Sequence, residues 1–385
     1  MRLKHLFALA LTFSCTACGL LDTKPGGFSL PVPASTTGEY PRVIDPNQSL
    51  AGNALVDAMA DKRVLFIGEV HDSVAHHQNQ LQILQSLYAH YPNLAIGVEY
   101  FQQPFQQHLD DYIAGRIGEK EMLRRTEYYK RWKVDYRMVR PIFEFARENR
   151  IPILALNVSE EIHKKVYKGG LKSLTPEERA EIPADIQPAN SSYTSRLQAI
   201  FDTHPQANNF GNFVDGVLSW DEAMADTTVR YLNKHPQSKV VVLAGLVHIL
   251  YGDGIPERVN RRLAGNQSVI AVNGADYGNF SNIADYALVT QSPEKLANTG
   301  KLGVTLTDNQ DSVHISEFAT SSPAEIAGLR LGDRIISLDG EQVASVAELK
   351  AIMFDKKPSE RVQVTVHRQS IKSANKELQF VVQLN

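Results

Sequence analysis

The chain has 385 residues, 43% hydrophobic and 22% charged, a globular composition with room for two domains and a sizeable core. A formal net charge of −3, with no long run of one sign, excludes the broad basic face that nucleic-acid binding needs. Both cysteines, Cys15 and Cys18, stand at the amino terminus, so no disulfide framework holds the folded part.

The chain opens on Arg2 and Lys4, a short apolar stretch over residues 6–13, and small residues ahead of Cys18. This is the three-part layout of an export signal and is too short to span a bilayer. A cysteine closing such a segment resembles the bacterial lipoprotein processing site. That resemblance implies a signal peptide over residues 1–17, lipidation of Cys18 and anchoring in a membrane, although Cys15 stands where such sites usually carry Leu. A plain secretory signal is the other reading. Gly19, rather than Asp, follows Cys18, which in lipoproteins favours the outer membrane. The expected location is the bacterial cell envelope, as an outer-membrane lipoprotein facing the periplasm or the cell surface. Residues 18–47, rich in Pro, Gly, Ser and Thr, are expected to form the lipid anchor and a flexible linker.

Residues 48–290 alternate in type. Apolar runs at 64–67, 94–98, 153–156, 240–244 and 269–272 predict buried strands, and polar–apolar mixtures of helical length separate them. Within residues 136–150, Val139, Ile142, Phe143 and Ala146 recur at spacings of three and four and make one apolar face. The alternation predicts an α/β domain with a mostly parallel sheet flanked by helices. Residues 172–193, with helix-start signals and repeated prolines, read as a helical insertion.

Four polar residues fall just past predicted strand ends, where open α/β sheets form their ligand crevice. Glu69 and His71 follow the first strand, Glu99 follows the second, and His248 follows the run at 240–244. The contexts Gly68-x-x-His71 and Gly245-x-x-His248 match, which suggests two related halves facing one site. Two imidazoles and two carboxylates could bind a metal, shuttle protons or hold an anionic cofactor. A lone histidine in such a place is more often a satisfied loop or core residue; two in matching contexts with Glu99 favour a site. Of the pair His76-His77, a helix would turn at most one into the crevice, because neighbours point about 100° apart. Glu69 has the simpler alternative of capping the following helix.

The ordered segments at 67–80, 97–115, 136–158, 219–232 and 243–259 resemble the ChaN-like haem-binding lipoproteins of the Tiki/TraB/erythromycin-esterase superfamily. That superfamily is marked by paired Gly-x-x-His motifs with an intervening Glu, matched here by Gly68/His71, Glu99 and Gly245/His248. The resemblance implies haem binding in iron acquisition, with a homodimer enclosing haem between subunits as one arrangement. It gives His71, Glu99 and His248 as cofactor-binding candidates, to which His76 of the helical pair is added. Tyr128, Tyr129 and Tyr136 beside Lys130, Arg131, Lys133 and Arg137 form an aromatic–basic cluster suited to a haem surface, and Tyr136 is the choice for axial ligand. A solvated amphipathic face is the plainer reading of that cluster. Superfamily relatives also hydrolyse peptide or ester bonds. The alternative function is therefore a metal-dependent hydrolase, with zinc or manganese on His71 and His248 and Glu69 or Glu99 as general base.

Residues 298–385 change character. The loop and strand Leu302-Gly303-Val304-Thr305-Leu306, the small-residue turn at 321–340 and a helix from near Ser345 resemble a bacterial periplasmic PDZ domain, a small β-sandwich or barrel-like fold. The resemblance implies capture of a partner's carboxyl terminus at the backbone of Leu302, Gly303 and Val304, with the next strand pairing to the peptide.

Overall fold

The computed structural model describes residues 38–385 apart from 47, 133, 204–208, 264–266, 292–295, 309–311 and 370–375. The expected signal segment and Cys18 lie outside the described residues, as does Lys133 of the basic cluster.

A seven-stranded sheet forms the first domain: β1 (Arg42–Ile44), β2 (Val64–Glu69), β3 (Leu94–Gln102), β4 (Ile153–Asn157), β5 (Lys239–Gly245), β6 (Ser268–Asn273) and β7 (Tyr286–Leu288). Its order is β1-β7-β6-β2-β5-β3-β4, and every neighbouring pair is parallel. The five strands expected from apolar runs are all present. They read as continuous apolar runs because both faces are covered. Alternate residues divide between two cores: Leu65, Ile67, Val241 and Leu243 join one face, and Val64, Phe66, Val240 and Val242 the other.

Helices Val74–His90 and Arg140–Glu148 cover the first face, the latter through Ile142, Phe143 and Ala146 as their spacing predicts. The 25-residue helix Phe210–Lys234 covers the second, with Leu218, Met224 and Leu232 buried. The insertion is less helical than its sequence suggests. It holds one turn at Pro176–Arg179, fixed by a capping box between Thr175 and Glu178, before the helix Ser191–Asp202. The expected linker also ends sooner than residue 47. Arg42–Ile44 pairs with β7 and forms the sheet's edge.

The second domain is an antiparallel sheet of β8 (Val304–Asp308), β9 (Val313–Phe318), β10 (Arg334–Leu338), β11 (Glu341–Gln342), β12 (Arg361–Arg368) and β13 (Lys376–Gln383). The order is β13-β12-β10-β9-β8, with β11 beside β10, and helix Val346–Met353 packs on it. Val313, Ile335, Leu349, Val364 and Val382 make its own core.

The two domains share a seam. Ala351 and Phe354, at the end of the helix Val346–Met353, belong to the first domain's core. Phe354 meets Tyr136 edge-on at 6.0 Å between ring centres, and the Arg140 guanidinium lies 5.5 Å over its face. Around this contact Lys120 pairs with Glu341 at 2.6 Å and Arg140 with Asp355 at 3.1 Å.

Candidate functional site

β2, β3 and β5 are neighbours, and the register pairs Glu69 with Gly245 and Val98 with Leu243. Glu69, Glu99 and Gly245 therefore sit at one level, near the carboxyl ends of three adjacent strands. The two glycines explain the repeated motif. A Cβ on Gly68 would lie 2.9 Å from Leu246 Cδ2, and one on Gly245 would lie 3.0 Å from the His71 ring. Each glycine thus leaves room for a side chain from the other motif.

Glu99, 1% exposed, lies at the centre. Its Oε2 accepts the Gly245 N–H at 2.6 Å, while its Oε1 lies 3.9 Å from His71 Nε2 and 3.6 Å from His248 Nε2. The opposite nitrogen of each imidazole is held by another buried carboxylate. His71 Nδ1 is 3.0 Å from Glu69, and His248 Nδ1 is 2.7 Å from Asp221, which also accepts the Tyr193 hydroxyl at 2.9 Å. A carboxylate on Nδ1 fixes ring orientation and leaves Nε2 facing Glu99, the support that a ligating histidine ordinarily has. Burial alone would lower both histidines, but Glu99 foremost, with Glu69 and Asp221, raises them above the usual value. Aromatic rings wall the cluster: Trp132 meets His71 edge-on at 4.9 Å, and Trp220 lies 6.0 Å from His248.

The family model described as haem-binding uptake, Tiki superfamily, ChaN matches residues 55–259, more than half of the chain. The chain belongs to this family. A PDZ-domain model matches residues 300–384, so the ChaN domain is followed by a PDZ domain. Among solved structures, the chain is similar to ChaN of Campylobacter jejuni, described as cofacial heme binding, at 20% identity and a TM-score of 0.49. That match covers 62% of this chain and 92% of that one. A serine endoprotease from Yersinia pestis is similar at 19% identity and a TM-score of 0.19, over 22% of this chain and 28% of that one. No curated protein matches the chain.

Within the ChaN domain, Glu69, His71, Glu99 and His248 come together in one cluster, whereas Tyr136 stands apart from it. Tyr136 is fully buried at the seam, with its ring against Tyr128, Phe143 and Phe354. Burial pushes its phenol well above the usual range, the reverse of what a tyrosinate ligand requires. The aromatic face read as a haem surface is instead the face that the PDZ domain covers. Its cations are committed as well: Arg131 to Glu127 and Glu161, Lys130 to Glu127, and Arg137 to Asp135.

His76 has a positioning role. Its Nδ1 accepts the Val70 N–H at 2.9 Å, and burial drops its pKa to about 4. His77 joins the cluster instead, with Nδ1 3.3 Å from Glu69 and Nε2 2.9 Å from the His71 carbonyl oxygen. His71 and His248, the pair of the metal reading, both turn Nε2 toward Glu99. Among the described residues no group of three or more His, Cys, Asp or Glu side chains is placed to hold a metal ion.

Asp221, Trp220 and His163 were missed from sequence. Buried His163 packs on Trp220 at 4.1 Å, and burial, then His248, drops it to about 3. The only sequence signal for Asp221 is an Asp-Glu pair within an otherwise apolar-faced helix.

Burial opposes a charge on His77, but Glu69 outweighs it and pushes the pKa up to about 9, while His77 in turn holds Glu69 below the usual carboxylate range. The stability that His77 gains is fully present below its ordinary pKa of about 6.5 and is lost as pH rises through about 9. Melting temperature should therefore fall between these pH values. The fall should be shallower in His77→Gln, since His71 and His248 contribute with the same sign. An identical slope in wild type and variant would show that His77 does not titrate there.

Proposed function

We propose that the ChaN domain binds haem at the crevice of His71, Glu99 and His248, in a lipid-anchored envelope protein serving iron acquisition. The PDZ domain docks the carboxyl terminus of a partner. The observation that carries the reading is the pair of imidazoles, each with Nδ1 held by a buried carboxylate and Nε2 turned toward the shared Glu99. Either Nε2 has the chemistry of an axial ligand, and haem when bound would supply the iron that accepts it.

Other features fit the same group. Aromatic rings flank both histidines, as an apolar macrocycle requires. The Tyr100 hydroxyl, the Trp220 indole nitrogen and both ring nitrogens of His163 are buried without hydrogen-bond partners among the described residues. Such groups are costly unless something satisfies them. Val70, beside His71 in the chain, is an exposed apolar residue, 39% accessible. Arg131 is occupied by acids, so bases for the propionates would come from other residues or from a second copy of the chain in a homodimer. Anchoring is assigned to Cys18 from the layout of residues 1–18; among the described residues no helix is long and apolar enough to cross a membrane.

The test is a haemin titration of the soluble chain from residue 19, followed in the Soret region. Saturable binding is expected, weakened roughly tenfold or more in His71→Ala and His248→Ala, and unchanged in Tyr136→Phe. No saturable shift would remove the haem reading. Wild-type affinity in both histidine variants would remove the assigned crevice. Mass spectrometry of membrane-extracted protein would check the lipid on Cys18.

A further inference from the structure

β8 has a free edge among the described strands, and the backbone amides of Leu302 and Gly303 have no partner among the described hydrogen bonds. Gly303 has φ +70°, and a Cβ there would come within 2.8 Å of Pro323, so only glycine suits the loop. Beside this edge a cavity of about 530 Å³ runs to the helix Val346–Met353, with Leu302, Leu349, Met353 and Phe354 as apolar walls. It is not lined by the PDZ domain alone. Tyr129 and Asp135 of the ChaN domain line it too, with Thr299 and Gly300 of the loop. Arg137 holds Asp135 in place and donates to the Ala297 carbonyl at 2.6 Å, which ties the loop's approach to the ChaN domain.

We propose that the peptide groove is a two-domain site, in which Tyr129 and Asp135 of the ChaN domain close the carboxylate end and select the chain terminus that enters. The inference rests on the reading of the PDZ domain as a docking module. The occupant is an extended polypeptide with a free terminal carboxylate and an apolar last side chain. The carboxylate meets the unpartnered amides, and the last side chain meets Tyr129, Met353 and Phe354. Asp135 is ion-paired with Arg137, and its carboxylate disfavours an acidic last side chain relative to a basic one. A partner is thereby chosen by its last residue, and only while the two domains are docked.

The probes are fluorescein-labelled decapeptides with a common alanine–serine body, ending in Val, Phe, Asp or Lys, each as free acid and as amide. Anisotropy is read against the soluble chain from residue 19, with melting temperature confirming that each variant is folded. Wild type should bind the Val and Phe acids and lose both on amidation. Asp135→Asn also releases Arg137, so it should improve binding of the Asp-ending acid roughly five- to tenfold and erase any preference for Lys over Asp. Tyr129→Ala should weaken the Val and Phe acids by a similar factor without changing the amide discrimination. Binding with the wild-type ranking intact in both variants would overturn the two-domain site and leave peptide docking standing. No saturable binding of any acid to wild type would overturn the docking reading and this inference together.

Discussion

Phe354→Ala is expected to release the PDZ domain from the ChaN domain while leaving both folded. The PDZ core is built from Val313, Ile335, Leu349, Val364 and Val382, without Phe354. The Phe354 ring, 8% exposed, is packed instead among the first domain's buried residues. Removing a buried phenylalanine costs about 3–5 kcal/mol, from lost transfer free energy and the cavity left behind. Here that loss falls on the seam. The remaining ties are the small Ala351 side chain, the Arg137–Ala297 hydrogen bond and ion pairs with partly exposed members, such as Lys120–Glu341 and Arg124–Glu348, which contribute about 1 kcal/mol or less each. They would not hold the domains alone. Calorimetry should therefore resolve two transitions where wild type shows one, and small-angle scattering should show a larger radius of gyration. Phe354→Leu, which keeps most of the apolar volume, should retain the single transition. An unchanged size and a single transition in Phe354→Ala would mean that the seam is held elsewhere.

The same seam explains the principal misreading of the sequence. Tyr128, Tyr129 and Tyr136 among basic residues give one pattern whether the aromatic face covers a cofactor or a neighbouring domain. Sequence spacing records that a face is apolar and not what covers it. The cations point the same way, since the acids that neutralise Arg131 and Arg137 include Glu161, thirty positions away. No local pattern shows that pairing.

Strands and strand ends were more legible because their signals are local. A run such as Val64–Glu69, buried on both faces, needs no knowledge of its neighbours to be recognised, and the residue that follows it must face the crevice. Glu69, His71, Glu99 and His248 were found on that logic. The short strands β1 and β7 were not, because three residues are too few to show a period and the exposed pattern of β1 resembles linker. Asp221 escaped for a different reason. It lies mid-helix, and only the packing of Phe210–Lys234 across the sheet carries its carboxylate to His248. The choice between His76 and His77 depended on helix phase, which the 100° step leaves open until the cap at Ser73 is known.

Glu99 is the residue on which the cluster depends, and two substitutions separate its charge from its shape. Glu99→Ala strips the Gly245 N–H of its acceptor and leaves two buried imidazoles without the anion they share. Breaking a buried pair by removing one partner costs about 3–5 kcal/mol, and urea unfolding should register a loss of that order. Glu99→Gln keeps an oxygen for Gly245 and loses only the charge, so its loss should be smaller. The imidazoles should nevertheless respond strongly. In both His71 and His248 the attraction of Glu99 is the largest influence opposing burial. Without it burial is opposed only by Glu69 and Asp221, and both rings should become neutral at lower pH than in wild type. Nitrogen-15 spectra of the histidine rings across the pH range would follow this directly. Haemin affinity need not fall in parallel, because a neutral Nε2 is the form that ligates iron. A variant with displaced imidazole titrations and retained haemin binding would assign Glu99 to holding the rings. Unchanged titrations in Glu99→Gln would mean that Glu99 does not set the charge of this crevice, and Glu69 and Asp221 would take its place.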